Sequence, residues 1–83
     1  MKLQDILDYV EQNDLNDVFW FNKAYGNNPF DIGLYKFPNG NFAIYVNGTD
    51  FGQEVSRVGI TEEEACTECF KWLEYHKNSR AVK

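Results

Sequence analysis

The hydrophobic period changes twice along this chain, from helical to alternating and back, and that constrains its fold more than any other feature. Leu3, Ile6, Leu7 and Val10 recur at helical spacing with Asp5, Asp8 and Glu11 between them, the pattern of an amphipathic helix. It predicts a helix over residues 2–13, ended by Asn13-Asp14. From Asp17 to Ile60 the period is two. Val18, Trp20 and Ala24 fall on one side of a first strand, Ile32 and Leu34 of a second, Phe42, Ile44 and Val46 of a third, and Val58 and Ile60 of a fourth. Thr61-Glu62-Glu63-Glu64 then spells a capping box, and Ala65, Cys66, Cys69, Phe70 and Leu73 form the apolar stripe of a second helix over about 62–78. The expected fold is α+β: a four-stranded antiparallel sheet flanked by N- and C-terminal helices (αββββα), in two layers. It forms one domain spanning 1–83, with a basic C-terminal tail over 77–83.

Every apolar strand position named is even-numbered, so the turns must preserve parity, because a one-residue slip would exchange the faces. Phe37-Pro38-Asn39-Gly40-Asn41 decides this for the middle hairpin. A two-residue Asn-Gly loop would set even against odd and put Pro38, which has no N–H, at the closing pair. A three-residue loop suits Pro38 at the first position, Asn39 at the second and Gly40 at the left-handed third. It pairs Phe37 with Asn41 and keeps even opposite even. Gly26-Asn27-Asn28-Pro29 separates strands one and two, and residues 47–53 separate three and four. The fourth strand therefore has the least constrained register.

Eighty-three residues with 43% hydrophobic and 17% aromatic content can fill a small core, with rings left over for the surface. The net charge of -5 is unevenly spread. Acids crowd both helical segments, the strands are balanced, and Lys77, Arg80 and Lys83 make the tail basic. Such a surface repels phosphate backbones and attracts basic proteins; it also serves plain solubility. No apolar run approaches a membrane span and no secretory leader pattern opens the sequence. With only Cys66 and Cys69, far short of a disulfide framework, a cytoplasmic location is expected.

Cys66-Thr67-Glu68-Cys69 is a CxxC, but it begins in the second turn of its helix behind three glutamates, which oppose a thiolate. Together with His76 it offers three metal donors where zinc needs four. Two buried thiols in a helix stripe is the simpler reading. His76 is the sole histidine and no motif sets a nucleophile beside it, so neither an enzyme, a cofactor nor a metal is expected.

What remains is the odd-numbered sheet face: Phe19, Phe21, Lys23, Tyr25, Asp31, Tyr35, Phe37, Tyr45, Val55 and Arg57. If both helices cover the even face, these rings lie open, and so large a bare patch marks an interaction site. The plainer alternative sets one helix on each face and buries them.

The run Phe19-Trp20-Phe21-Asn22-Lys23-Ala24-Tyr25-Gly26 after a short helix, and the stretch Asn41–Glu64 leading into a Glu-rich capped helix, resemble the small immunity proteins of bacterial polymorphic and contact-dependent toxin systems. The resemblance implies an antidote that binds a cognate toxin domain, such as a nuclease with a basic cleft, blocks its active site and protects the producing cell. It supplies no contact residues. From exposure on the odd face, Phe21, Asp31, Tyr35 and Tyr45 are the expected contacts, with Asp14 and Asp17 before strand one as a second patch. Other readings are an adaptor or phage regulatory protein, and a homodimer through the same face. A nucleic-acid module would require a basic track, and that face carries only Lys23 and Arg57. No membrane partner is expected.

Overall fold

The structure is a computed structural model describing residues 1–48 and 53–81. Its elements run α1 (Leu3–Gln12), β1 (Phe19–Phe21), β2 (Ile32–Lys36), β3 (Phe42–Asn47), β4 (Gln53–Ile60) and α2 (Glu62–Ala81). The α+β class and the helix–strands–helix order are as the periodicity requires. The four strands lie in sequence order across one sheet.

The sheet is mixed rather than wholly antiparallel, because β1 runs parallel to β2. The Gly26–Pro29 cluster is thus part of a crossover, not a hairpin turn. After Phe21 the chain turns at Asn22, whose φ is 55°, and residues 22–31 carry it back to begin β2 beside β1. The Ile32 N–H donates to the Val18 carbonyl at 2.8 Å and the Asn22 N–H to that of Leu34 at 2.9 Å. Parity does not pass through such a crossover. Phe19 stands beside Ile32 and Phe21 beside Leu34, while Trp20 lies beside Gly33. The odd residues of β1 therefore face the core, and its even one faces out.

The β2–β3 hairpin follows its turn chemistry. Phe37 N–H donates to Asn41 O at 2.8 Å and Gly40 N–H to Phe37 O at 3.0 Å, with Gly40 at φ 90°, the left-handed position this loop needs. Ile32 and Leu34 stand opposite Val46 and Ile44, and all four are fully buried.

β4 departs from the even pattern. Ile60 pairs with Phe42, even opposite even, but a register shift follows, and Val58 pairs with Ala43 and Arg57 with Ile44. Gly59 takes φ 74°, and this bulge moves the extra residue out of register. Val58 is consequently 57% exposed. Val55 packs against the core, and the Arg57 guanidinium reaches Glu64 at 3.4 Å.

Both helices join one core on the even face of β2 and β3. Ile6 and Val10 of α1, Phe19, Ile32, Leu34, Phe42, Ile44 and Val46 of the sheet, and Ala65, Cys66, Cys69 and Leu73 of α2 belong to a single buried cluster. The capping box is present: Thr61 Oγ1 accepts from Glu64 N–H at 3.2 Å, and Glu64 Oε1 accepts from Thr61 N–H at 3.2 Å. At the other end of α2, Arg80 donates to the Asp14 carbonyl at 2.7 Å and to Asp17 Oδ1 at 2.6 Å, tying the helix to the loop before β1.

Candidate protein-binding face

With the helices gathered on one side, the opposite face of β2 and β3 has no helical cover among the described residues. Alternation points Gly33 and Tyr35 of β2, and Ala43, Tyr45 and Asn47 of β3, to that side. The 22–31 crossover lies over part of it. Asn47 Nδ2 donates to the carbonyls of Gly26 at 2.6 Å and Asn28 at 3.1 Å, and the Tyr35 hydroxyl donates to the Lys23 carbonyl.

Beside the crossover lies an open recess of about 390 Å³ lined by Tyr25, Tyr35, Phe37 and Tyr45. Tyr25 and Tyr45 are stacked with centroids 6.0 Å apart and planes 6° from parallel, and Tyr35 meets Tyr45 edge-on at 5.6 Å. Such pairs hold rings in fixed orientation. Gly33 creates room for the arrangement: a Cβ there would stand 2.5 Å from Tyr25 Cδ1 and 3.1 Å from Tyr25 Cβ. Burial, and then the neighbouring Tyr25 and Tyr45, raise the Tyr35 pKa. The phenol stays protonated at neutral pH and acts as a hydrogen-bonding group.

Of the expected contacts, the structure brings Tyr35 and Tyr45 together and separates the rest. Phe21 is not on this face; it packs against the core edge, in a groove of about 370 Å³ shared with Leu7, Phe19 and Trp20. Asp31 has the expected parity but is 1% exposed, because the crossover closes over it. Its Oδ2 accepts from Asn28 N–H at 3.0 Å and lies 2.3 Å from where a Gly26 Cβ would stand. Asp31 is a structural carboxylate and is not accessible to a partner. Asp14 and Asp17 are exposed but lie in the loop that Arg80 clamps; its guanidinium holds the Asp17 carboxyl below the usual range. Tyr25 and Phe37, odd-numbered like Tyr35 and Tyr45, complete the lining of the recess although neither is among the expected contacts. The available signal was Gly33, a glycine between two buried strand residues, which marks a close approach.

The acids and the rings occupy opposite layers. Asp5, Asp8, Glu11, Glu63, Glu64 and Glu74 are exposed on the helices, while the recess is lined by uncharged rings.

Measured against protein-family models, curated proteins and solved structures, the chain matches none.

Elsewhere the groups with potential chemistry are otherwise engaged. Burial, then Glu62, pushes the Cys66 thiol up to about 11, and burial raises Cys69 well above its ordinary value. Both are free, buried cysteines and stay protonated at neutral pH. His76 Nε2–H donates to the Phe30 carbonyl at 2.6 Å. Among the described residues no group of three His, Cys, Asp or Glu side chains could hold a metal ion, and no helix is long and apolar enough to cross a membrane.

Asp31 gives a pH prediction. Burial raises its pKa above 3.8, so its contribution to stability is complete below that value and is lost as pH rises through the folded-state pKa. Asp31→Asn keeps an acceptor for Asn28 N–H and removes the buried charge. The variant should be more stable than the parent at pH 7, with the difference vanishing below about pH 4. Urea unfolding midpoints at both pH values measure this. An Asn variant destabilised equally at both would show that charge burial is not the operative cost.

Proposed function

We propose that this domain acts by binding another protein through the uncovered part of its outer sheet face, as an inhibitor that occupies its partner's working surface. The observation that carries this reading is the recess of Tyr25, Tyr35, Phe37 and Tyr45, a pre-ordered group of aromatic anchors outside the core. Tyrosines in such a setting are the residues on which interface energy concentrates. Rings already ordered by one another lose less entropy on docking.

The finer reading is an antidote that neutralises a bacterial toxin domain, a nuclease with a basic cleft fitting best. The net charge of -5 supports a cationic partner. Because the carboxylates sit on the helical layer, their field would guide approach while the rings hold the complex. Raising salt should therefore slow association more than it speeds dissociation.

Growth protection is the direct test. The chain should rescue cells expressing a toxin domain encoded immediately upstream of its gene, and it should co-purify with that domain. Tyr35→Ala and Tyr45→Ala, folded by circular dichroism, should lose both properties. Rescue by both variants would remove the recess from the interface. An adaptor would lack the toxin neighbour, and a homodimer would show in sedimentation of the chain alone. Tight, salt-sensitive RNA binding would point to nucleic acid instead.

A further inference from the structure

We propose that the tyrosine recess seats an arginine side chain of the partner, its guanidinium lying against the rings of Tyr45 and Tyr35. The inference rests on the docking reading of this face and deepens it by naming the chemical group that enters. Three observations carry it. First, the lining is four aromatic side chains, whose electron-rich faces attract cations. Second, the Tyr35 hydroxyl proton is already committed to the Lys23 carbonyl. The Tyr35 oxygen can then only accept, so a group that hydrogen-bonds to it there must be a donor. Third, the domain's net charge of -5 draws basic partners to it, and no charged side chain lines the recess to repel a cation there.

Other occupants fit less well. A carboxylate or phosphate would meet no cationic lining side chain. An aliphatic side chain would fill the volume but leave the Tyr35 oxygen covered and without a donor. Between the two basic side chains, the planar guanidinium stacks on rings and has donors at its edge, whereas the compact ammonium is more strongly hydrated. Lys23, whose charge opposes a cation, is exposed and is not part of the lining.

The test compares acetyl-Gly-Arg-Gly-amide with its citrulline counterpart, equal in shape and uncharged, by NMR titration of the intact chain. The acidic helices attract any cation, so the location of the shifts decides. The arginine peptide should move the ring resonances of Tyr35, Phe37 and Tyr45 saturably, with an affinity roughly 2- to 30-fold above the citrulline peptide. Tyr45→Leu should abolish that preference, and Tyr35→Phe, which keeps the ring and removes the acceptor, should reduce it. Dispersed amide spectra would show that both variants are folded. Equal shifts from the two peptides, or shifts confined to the helices, would overturn the proposal. If Tyr45→Ala abolishes partner binding while the arginine peptide ignores the recess, the docking face stands and the arginine is wrong. If partner binding survives Tyr45→Ala, the docking reading itself fails.

Discussion

Phe42→Ala is expected to destabilise the domain by about 3–5 kcal/mol. Phe42 heads the fully buried side chains by volume at 1% exposure, and it pairs with Lys36 on one side and Ile60 on the other. Its ring belongs to the cluster that joins both helices to the sheet, so truncation leaves a cavity where three elements meet. A chain of this length has a total stability of roughly 4–12 kcal/mol, so the loss removes a quarter of it or more and should lower the urea midpoint markedly. Urea unfolding followed by tryptophan fluorescence measures the loss; a change under about 1 kcal/mol would place Phe42 outside the core. Val58→Ala supplies the contrast. Alternation from the sequence puts Val58 inside, where losing two carbons would cost about 1.6 kcal/mol. The bulge at Gly59 turns it out to 57% exposure, and the expected change is within about 0.5 kcal/mol.

That contrast shows which parts of the fold could be read from the sequence. Where a short turn or a cap determines geometry, residue types suffice. Pro38-Asn39-Gly40 fixed the β2–β3 register, and Thr61 with Glu64 fixed the start of α2. Where pairing is non-local, they do not. β1 is three residues long and runs parallel to its neighbour through residues 22–31, and nothing local in Gly26-Asn27-Asn28-Pro29 distinguishes a crossover from a loose hairpin. The β4 shift did leave a trace, since a glycine within a strand is a bulge signal and Gly59 separates Val58 from Ile60.

The site divides along the same line. Tyr35 and Tyr45 lie on strands joined by a turn of known register, so parity placed them correctly. Phe21 lies on β1, whose phase no turn transmits. Asp31 has the right parity, but exposure depends on what covers a face, and the crossover came from the unread pairing. Asp17 is engaged by Arg80, 63 residues away in the chain. That contact closes only once α2 has docked, and neither residue's neighbours encode it.

Gly33→Ala should weaken both the fold and partner binding, because one atom there displaces the crossover. The added Cβ would lie 2.5 Å from Tyr25 Cδ1, 2.9 Å from Cγ and 3.1 Å from Cβ. The near end of the Tyr25 side chain is included, so a ring flip alone cannot relieve the overlap, and the backbone carrying Tyr25 must lift. Overpacking of this kind costs about 1–3 kcal/mol. It also removes one wall of the recess, so a partner held by those rings should dissociate faster. The Tyr25→Ala background isolates the cause. With the ring gone, only the residue-25 Cβ remains near the added methyl, at 3.1 Å, a tight contact that a small backbone shift relieves, so the cost of Gly33→Ala should fall to within about 0.5 kcal/mol of neutral. Chemical denaturation of the four chains in this cycle gives the coupling. Equal costs of Gly33→Ala in both backgrounds would mean that Tyr25 does not rest on Gly33, and the recess would lose its fourth wall.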